Sequence, residues 1–310
     1  MRVFVTGGAG FIGSYVCEIL LQNGAEVVAF DDFSTGQNRI DGAEIVEGDV
    51  RNFDEVISAM AGCTHIAHLA AMASVPASVA NPALSEAINL QGTLNVIEAA
   101  HQVGVKRIVF SSTAAVYGNA TELPVTESTV TQCQSPYAED KLAAEVAILH
   151  SGIEAISLRY FNVHGPRQDP NGAYAAVIPV FIQMLMDKKS PTIFGTGEAT
   201  RDFVSVFDVA ELNLMALTTE NEAALGEVYN VASGSTMSVL ELFTTLRELL
   251  SSKELEVQTV EPVFAPPRDG DILHSSASIE KARELLGFDP ETNPSLAFSE
   301  TVEAYWADQA

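Results

Sequence analysis

Met1-Arg-Val-Phe-Val-Thr-Gly-Gly-Ala-Gly-Phe-Ile-Gly-Ser14 opens the chain: an apolar strand runs straight into Gly7, Gly10 and Gly13 and then into a helix-like stretch over 11–23. Each glycine has a separate use. Gly7 allows the positive φ of a tight turn, Gly10 lets the backbone approach a pyrophosphate, and Gly13 lets the helix pack close to the strand. Phe11 and Ile12 fall in the first helical turn, where unpaired N–H groups and a partial positive charge suit phosphates without a lysine.

Working outward, 26–30 reads as a second strand ending in Asp31 and Asp32, at the spacing where an acidic residue meets ribose hydroxyls. A carboxylate there repels a 2′-phosphate, so Asp31 favours NAD over NADP. Ser34 and Gly36 follow in the same loop. A third strand over 44–46 leads to Gly48-Asp49-Val50, and a fourth over 65–69 ends in Leu69-Ala70-Ala71. Small or acidic residues at successive strand ends suit a cofactor lying along the carboxyl edge of a parallel sheet. Apolar residues at helical spacing over 81–103 (Leu84, Ile88, Leu94, Val96, Ile97, Ala100), a strand at 106–110, a helix at 137–150 and a strand at 154–161 continue the alternation. The expected fold is α/β, a doubly wound parallel sheet. After Asn162, prolines and glycines punctuate short elements. We therefore expect a cofactor domain over 1–165, with a return contribution from about 203–232, and a smaller C-terminal α/β substrate subdomain from 166–202 and 233–310.

The 310 residues are 47% hydrophobic, enough for a sizeable core and against disorder. No apolar run approaches the length of a membrane span, and a cytoplasmic protein without a membrane partner is expected. Cys17, Cys63 and Cys133 are scattered without metal-ligand spacing, so no metal is expected. Net charge is −25, from 41 acidic against 16 basic residues, which excludes a general nucleic-acid surface. An anionic ligand must then be held by local cations, and arginines in loops become candidates. A carboxylate surplus with few lysines also fits a high-salt habitat; a melting temperature that did not rise between low and molar salt would count against it.

Strand 107–110 ends in Ser111-Ser112-Thr113-Ala114-Ala115-Val116-Tyr117-Gly118, and later comes Tyr137-Ala-Glu-Asp-Lys141. Tyr137 and Lys141 share a helix face at i, i+4. A nearby ammonium, together with the positive nicotinamide ring, favours phenolate and lowers the phenol's pKa toward working pH. A strand-end hydroxyl such as Thr113 can bond the substrate oxygen. The set is that of a general base taking a proton from an alcohol whose carbon loses hydride to NAD.

These residues resemble the extended short-chain dehydrogenase/reductases, and within them the nucleotide-sugar 4-epimerases of the UDP-glucose and UDP-N-acetylglucosamine type. The resemblance covers essentially the whole chain, through 6–13, 31–36, His68-Leu-Ala-Ala71, 111–118, Ser135-Pro-Tyr-Ala-Glu-Asp-Lys141, Arg159-Tyr-Phe-Asn-Val163, Arg201-Asp-Phe-Val204 and Pro267-Arg-Asp-Gly-Asp271. It implies a Rossmann-like fold with Tyr137 as base, Lys141 as its partner and ribose anchor, and Thr113 as hydroxyl helper. Asn89, Ser111 and Tyr160 would fall on the cofactor side. Asn162, Arg201, Arg268 and Asp271 would hold the nucleoside diphosphate, while Tyr174, Val177 and Phe194 lie in segments that line nucleotide and sugar in the family.

Within the resemblance the reaction can be narrowed. Related dehydratases carry an acid pair after the Ser/Thr, and decarboxylases a glutamate; here stand Ala114 and Ala115, which cannot move a proton. Reversible oxidation at C4 remains, with NAD retained. Four residues past Asp271 stands Ser275, where relatives restricted to glucose and galactose carry Tyr, so UDP-N-acetylglucosamine is expected to be accepted alongside UDP-glucose. Alternatives are a UDP-glucuronate epimerase, for which Arg167 is the spare cation, and a non-catalytic NAD-binding sensor. Asp140, where Ser is usual, and His164, where Tyr is usual, depart from the pattern. Helices 81–103 and 137–150 expose apolar residues beyond one face, and the family implies a homodimer through them.

Overall fold

The computed structural model describes residues 1–170, 176–267, 273–291 and 293–309. Its centre is a seven-stranded sheet whose paired strands all run parallel. The strands are β1 (Arg2–Thr6), β2 (Glu26–Asp31), β3 (Glu44–Glu47), β4 (His65–His68), β5 (Arg107–Thr113), β6 (Glu154–Tyr160) and an outer strand, Glu227–Val231. Across the sheet the order is outer strand, β6, β5, β4, β1, β2, β3. The winding order therefore reverses between β1 and β4, and a crevice opens at the carboxyl ends of these parallel strands, the usual ligand site of such sheets.

Sheet strands covered on both faces need continuous apolar runs rather than alternation. Val3, Phe4, Val5, Ile108, Val109 and Phe110 are fully buried accordingly. On one face α1 (Phe11–Gln22) packs with the helix Val206–Thr218 over Val3, Val5, Ala29 and Val109. On the other, α2 (Phe53–Ala59), α5 (Gly92–Val103) and α6 (Pro136–Leu149) cover Phe4, Phe30, Ile66 and Phe110. Each fully buried side chain of this size contributes roughly 1.5–3 kcal/mol.

Two short helices, α3 (Val75–Ala80) and α4 (Pro82–Glu86), precede α5, each with Pro in its first turn and an N-cap, Ser74 or Asn81, accepting a backbone N–H. The helix expected over 81–103 is there, with one departure: Ala87–Gln91, between α4 and α5, is a π-helical turn. Helix α6 starts where Ser135 accepts the N–H of Ala138 and Pro136 occupies the first position, an arrangement that satisfies an otherwise unpaired donor.

A separate core of Ile178, Phe181, Ile182, Leu185, Leu242, Phe243, Leu246, Phe298 and Val302 joins the helices Val177–Met186, Val239–Ser251 and Pro294–Gln309. Between its first and later parts the chain returns to the sheet through 203–231, supplying Val204, Val209, Leu212, Tyr229 and Val231 to the first core. Among the described residues no helix is long and apolar enough to cross a membrane.

Candidate active site

The turn after β1 is as tight as its glycines suggest. Gly7 has φ +69°, and a Cβ there would meet the Ala70 backbone nitrogen at 2.8 Å. A Cβ at Gly13 would lie 2.0 Å from the Gly7 carbonyl oxygen, and one at Gly36 2.4 Å from that of Ala9. Gly10 differs, for the only heavy atom its Cβ would approach is Gly7 O, at 3.1 Å. The cradle is thus walled by backbone below and open above Gly10, with the α1 N-terminal turn, Phe11 and Ile12, beside it.

Opposite the turn, Leu69 and Ala70 donate their N–H groups to Thr6 Oγ1, each at 3.1 Å. The threonine proton is left for His68 Nδ1, 2.6 Å away, so His68 Nε2–H donates to Thr93 Oγ1 at 2.9 Å. Burial, with Lys141 adding to it, pushes the His68 imidazole down to about 3. A neutral histidine thereby fixes the β4 end, where Leu69, Ala70 and Ala71 lie, against the glycine turn.

Asp31 is buried, with Oδ2 accepting from Ala9 N–H and Oδ1 from Phe33 N–H, both at 2.9 Å. Burial raises its pKa, and these backbone bonds oppose the rise. Asp32, exposed, accepts from the N–H and hydroxyl of Ser34. Arg39 is stacked 4.0 Å over the Phe33 ring. Asp49 is held by Arg51, which lowers its pKa, and Val50 packs on Gly92. An open backbone cradle, a helix N-terminus and a buried carboxylate at the second strand end fit NAD.

At the end of β5, Thr113 pairs in register with Tyr160 of β6. Its Oγ1 accepts from Ala115 N–H at 3.1 Å, and its hydroxyl bonds the Tyr137 phenol, favouring phenolate. Burial acts more strongly in the other direction, so the Tyr137 pKa stands above its ordinary value. Among the protein's own groups Thr113 is the one that pulls it down; the lowering expected at this phenol is one in which Lys141 acts together with the positive nicotinamide ring of bound NAD. Lys141 is 2% exposed, its ammonium 4.1 Å over the Phe110 ring, and burial brings its pKa down to about 7 against the opposing pull of Glu145. Tyr160 OH accepts from Asn213 Nδ2 at 2.7 Å and bonds the Ser111 hydroxyl.

A cavity of about 330 Å³ adjoins Thr113 and Tyr137. Ala73, Ala114, Ala115, Gly118 and Ala120 form its small-residue lining; Tyr160, Asn162, Arg201 and Ser275 also reach it. Asn162 Nδ2 donates to the Asp202 carbonyl at 2.9 Å. The fully buried Asp202 carboxylate in turn accepts from Ser233 N–H and Oγ–H, both at 2.7 Å, and from Gly234 N–H at 3.1 Å. Burial pushes it up to about 6 despite those bonds. Arg201 donates to the Thr200 carbonyl at 2.9 Å.

Other expected residues lie elsewhere. Asn89 is buried, its Oδ1 accepting the N–H of Met72 at 2.9 Å. Val177 packs on the second core, and Phe194, at a strand end, is 37% exposed; neither is among the cavity-lining residues. Tyr174, Arg268 and Asp271 lie outside the described residues. Arg167 is committed to α1, donating to Glu18 at 2.7 Å and Ser14 Oγ at 3.1 Å and stacking on Tyr15. His164 is buried against Phe298, with Nδ1 3.4 Å from Thr301 Oγ1. Sequence reading passed over Ala73, Ala120, Leu123, Val125 and His274 of the cavity. Only His274, beside Ser275, carried a signal by its neighbourhood.

Fold and site together define an NAD-dependent extended short-chain dehydrogenase/reductase. The chain belongs to the NAD dependent epimerase/dehydratase family, which matches residues 3–232. It is 40% identical over 298 residues to a putative UDP-glucose 4-epimerase of Methanocaldococcus jannaschii, covering 93% of each chain. It also resembles the crystal structure of UDP-glucose 4-epimerase with UDP-glucose from Thermotoga maritima, with 34% identity, all of both chains covered and a TM-score of 0.93. A UDP-N-acetylglucosamine 4-epimerase from Methanobrevibacter ruminantium, in complex with UDP-N-acetylmuramic acid, gives 34% identity and a TM-score of 0.91 over 99% of this chain and 98% of that one.

Proposed function

We propose that the protein inverts C4 of UDP-hexoses and accepts the N-acetylated pair, UDP-N-acetylglucosamine and UDP-N-acetylgalactosamine, alongside UDP-glucose and UDP-galactose. At the level of class it is an NAD-dependent nucleotide-sugar 4-epimerase. The observation that carries the finer reading is Ser275 in the lining of the cavity that also holds Thr113 and Tyr137. A serine at that wall leaves space for an acetamido group that a tyrosine ring would fill.

In this reading Tyr137 takes the proton from the sugar 4-hydroxyl and returns it to the oxygen of the 4-keto sugar. Thr113, donating to the phenol oxygen, favours the phenolate that the first transfer needs. Bound NAD would supply the acceptor and donor of hydride at the sugar carbon and a positive ring beside the phenol. Gly7, Gly10, Gly13, Asp31 and Lys141 are the residues that would hold it. Asn162 and Arg201 would grip the diphosphate, leaving the hexose free to present either face between Ala114, Ala115 and Ser275. Ala114 and Ala115 cannot exchange a proton, which favours epimerisation over loss of water. The engagement of Arg167 with Glu18 and Ser14 removes the spare cation a uronate would use.

Proton NMR of separate incubations with UDP-N-acetylglucosamine and UDP-glucose tests the proposal. Epimer from both is expected; epimer from UDP-glucose alone overturns the substrate reading. Leu94 of α5 and Val146 of α6 are 39% and 49% exposed and are proposed as part of a homodimer face. A concentration-independent monomer in light scattering would contradict that.

A further inference from the structure

Two serines seven residues apart hold α6 against its neighbours. Ser78, on α3, accepts the backbone N–H of Tyr137 at 3.1 Å. Ser85, on α4, donates to Asp140 Oδ2 at 2.5 Å. Both serines are fully buried, and Asp140 is 9% exposed. Ser85 Oγ also accepts from Asn89 Nδ2 at 3.2 Å, while Asn89 Oδ1 accepts from the backbone N–H of Met72 at 2.9 Å. From the Met72 N–H through the Asn89 amide and Ser85 to the carboxylate the donors run in one direction, while Asn89 Nδ2 also makes a longer bond, 3.5 Å, back to the Met72 carbonyl oxygen.

The two ends matter for the chemistry. Met72 follows the strand end that faces the glycine turn, and Asp140 directly precedes Lys141 on the helix that carries Tyr137. Asn89 lies in the π-helical turn Ala87–Gln91, a local geometry that recurs at functional positions. We propose that Asp140 is a positioning residue whose carboxylate terminates a hydrogen-bond relay tying the cofactor-side backbone at Met72 to the catalytic helix. The proposal rests on the reading of Tyr137 and Lys141 as the reacting pair.

A carboxylate is suited to that end because it only accepts; burial, with Glu86 and Glu139 adding to it, raises the Asp140 pKa, and the bond from Ser85 opposes the rise by favouring the ionised form. The carboxylate fixes the direction of the Ser85 proton, which fixes the Asn89 amide as donor toward Ser85 and leaves Oδ1 for Met72. Without an acceptor at 140, the Ser85 hydroxyl can turn to its own helix, as Ser78 does in donating to Val75 O at 2.7 Å. Because a hydroxyl that donates to its own helix can still accept, as Ser78 does from Tyr137, the link breaks where the released Ser85 side chain changes rotamer and carries Oγ away from Asn89 Nδ2; the Asn89 amide then loses its orientation, and the Met72 backbone its partner. Small misplacements of this kind act on turnover more than on substrate binding.

The test compares Asp140→Ala, Asp140→Asn and Ser85→Ala in the NAD-loaded protein. Asp140→Ala and Ser85→Ala should each lower kcat on the order of tenfold with KM for the UDP-sugar changed less than about twofold. Hydrogen exchange, read by mass spectrometry, should be faster in the peptide containing Met72. Asp140→Asn should restore both, because its amide oxygen accepts the same bond. Wild-type kcat and Met72 protection in Asp140→Ala would overturn the proposal, and so would an Asp140→Asn as impaired as the alanine variant. If Asp140→Ala does not fold, Ser85→Ala, which deletes one hydroxyl, carries the same prediction. If the wild type turns over neither UDP-sugar, the substrate reading fails, while exchange at Met72 still decides the relay.

Discussion

Around the glycine turn, a methyl group added at Gly13 would meet a carbonyl oxygen at 2.0 Å, and one at Gly36 at 2.4 Å. Around the cavity at Thr113 and Tyr137, about 330 Å³ stays open beside Ala114, Ala115, Gly118 and Ser275. The first region is defined by backbone against backbone, and a side chain of any size is excluded. The second is defined by side chains of small volume drawn from segments far apart in sequence. A cofactor that stays in one pose suits the first construction. A sugar that must expose both faces of one carbon suits the second.

Tyr137, where the two regions meet, gives the largest expected effect. Tyr137→Phe should lower kcat by roughly 10²–10⁴-fold, the usual worth of a general acid–base group, with the melting temperature nearly unchanged; a steady-state assay beside a thermal melt measures both. Next, Gly13→Ala attacks the close-packed side directly. Overpacking of this kind costs about 1–3 kcal/mol or more, and the protein should purify with most of its NAD lost, as the absorbance ratio at 260 and 280 nm would record. A variant that kept its NAD would show the turn to be softer than its contacts imply.

Ser275→Tyr tests the roomy side. Turnover of the acetylated sugar should fall by at least about tenfold while that of UDP-glucose is spared, since steric exclusion from a pocket discriminates by roughly 1–3 kcal/mol. Equal loss of both would mean that Ser275 does not set the sugar preference. The smallest effect concerns Lys141. Its pKa is pushed down from 10.5 to about 7 by burial, so its penalty on the cofactor-free fold is full below pH 7 and fades as pH rises from 7 toward 10.5. With NAD removed, Lys141→Met should therefore be the more stable protein at and below pH 7, by on the order of 1 kcal/mol or about 2 °C. The gap should narrow at higher pH. A gap independent of pH would place the cost of Lys141 in packing rather than charge.

The same contrast sets what could be read from the sequence. The glycine turn was legible because a backbone requirement excludes nearly every residue but one. The sheet strands were legible because burial on both faces demands continuous apolar runs. The cavity was not: Ala73, Ala120 and Leu123 are ordinary loop residues until the fold brings them to Thr113, and Ser275 stood out only through a resemblance. The π-helical turn at Ala87–Gln91 escaped for a different reason. A single extra residue per turn hardly disturbs the apolar pattern over 81–103, and its partners at Met72 and Ser85 are fixed by tertiary contact. The buried Asp202 was passed over beside Arg201, since nothing local in the sequence announces a bond to Ser233 and Gly234.

The excursion of the chain out of the seven-stranded sheet after Tyr160 and its return at Glu227–Val231 bears on how such proteins can be recombined. The second core is assembled from pieces on both sides of a strand, Glu227–Val231, that belongs to the sheet. A chimera made with one crossover would import half of a foreign core and strand the rest. Transplanting a sugar preference between relatives then calls for several coordinated junctions, or for point changes at the cavity wall, and the second route disturbs far less of the molecule.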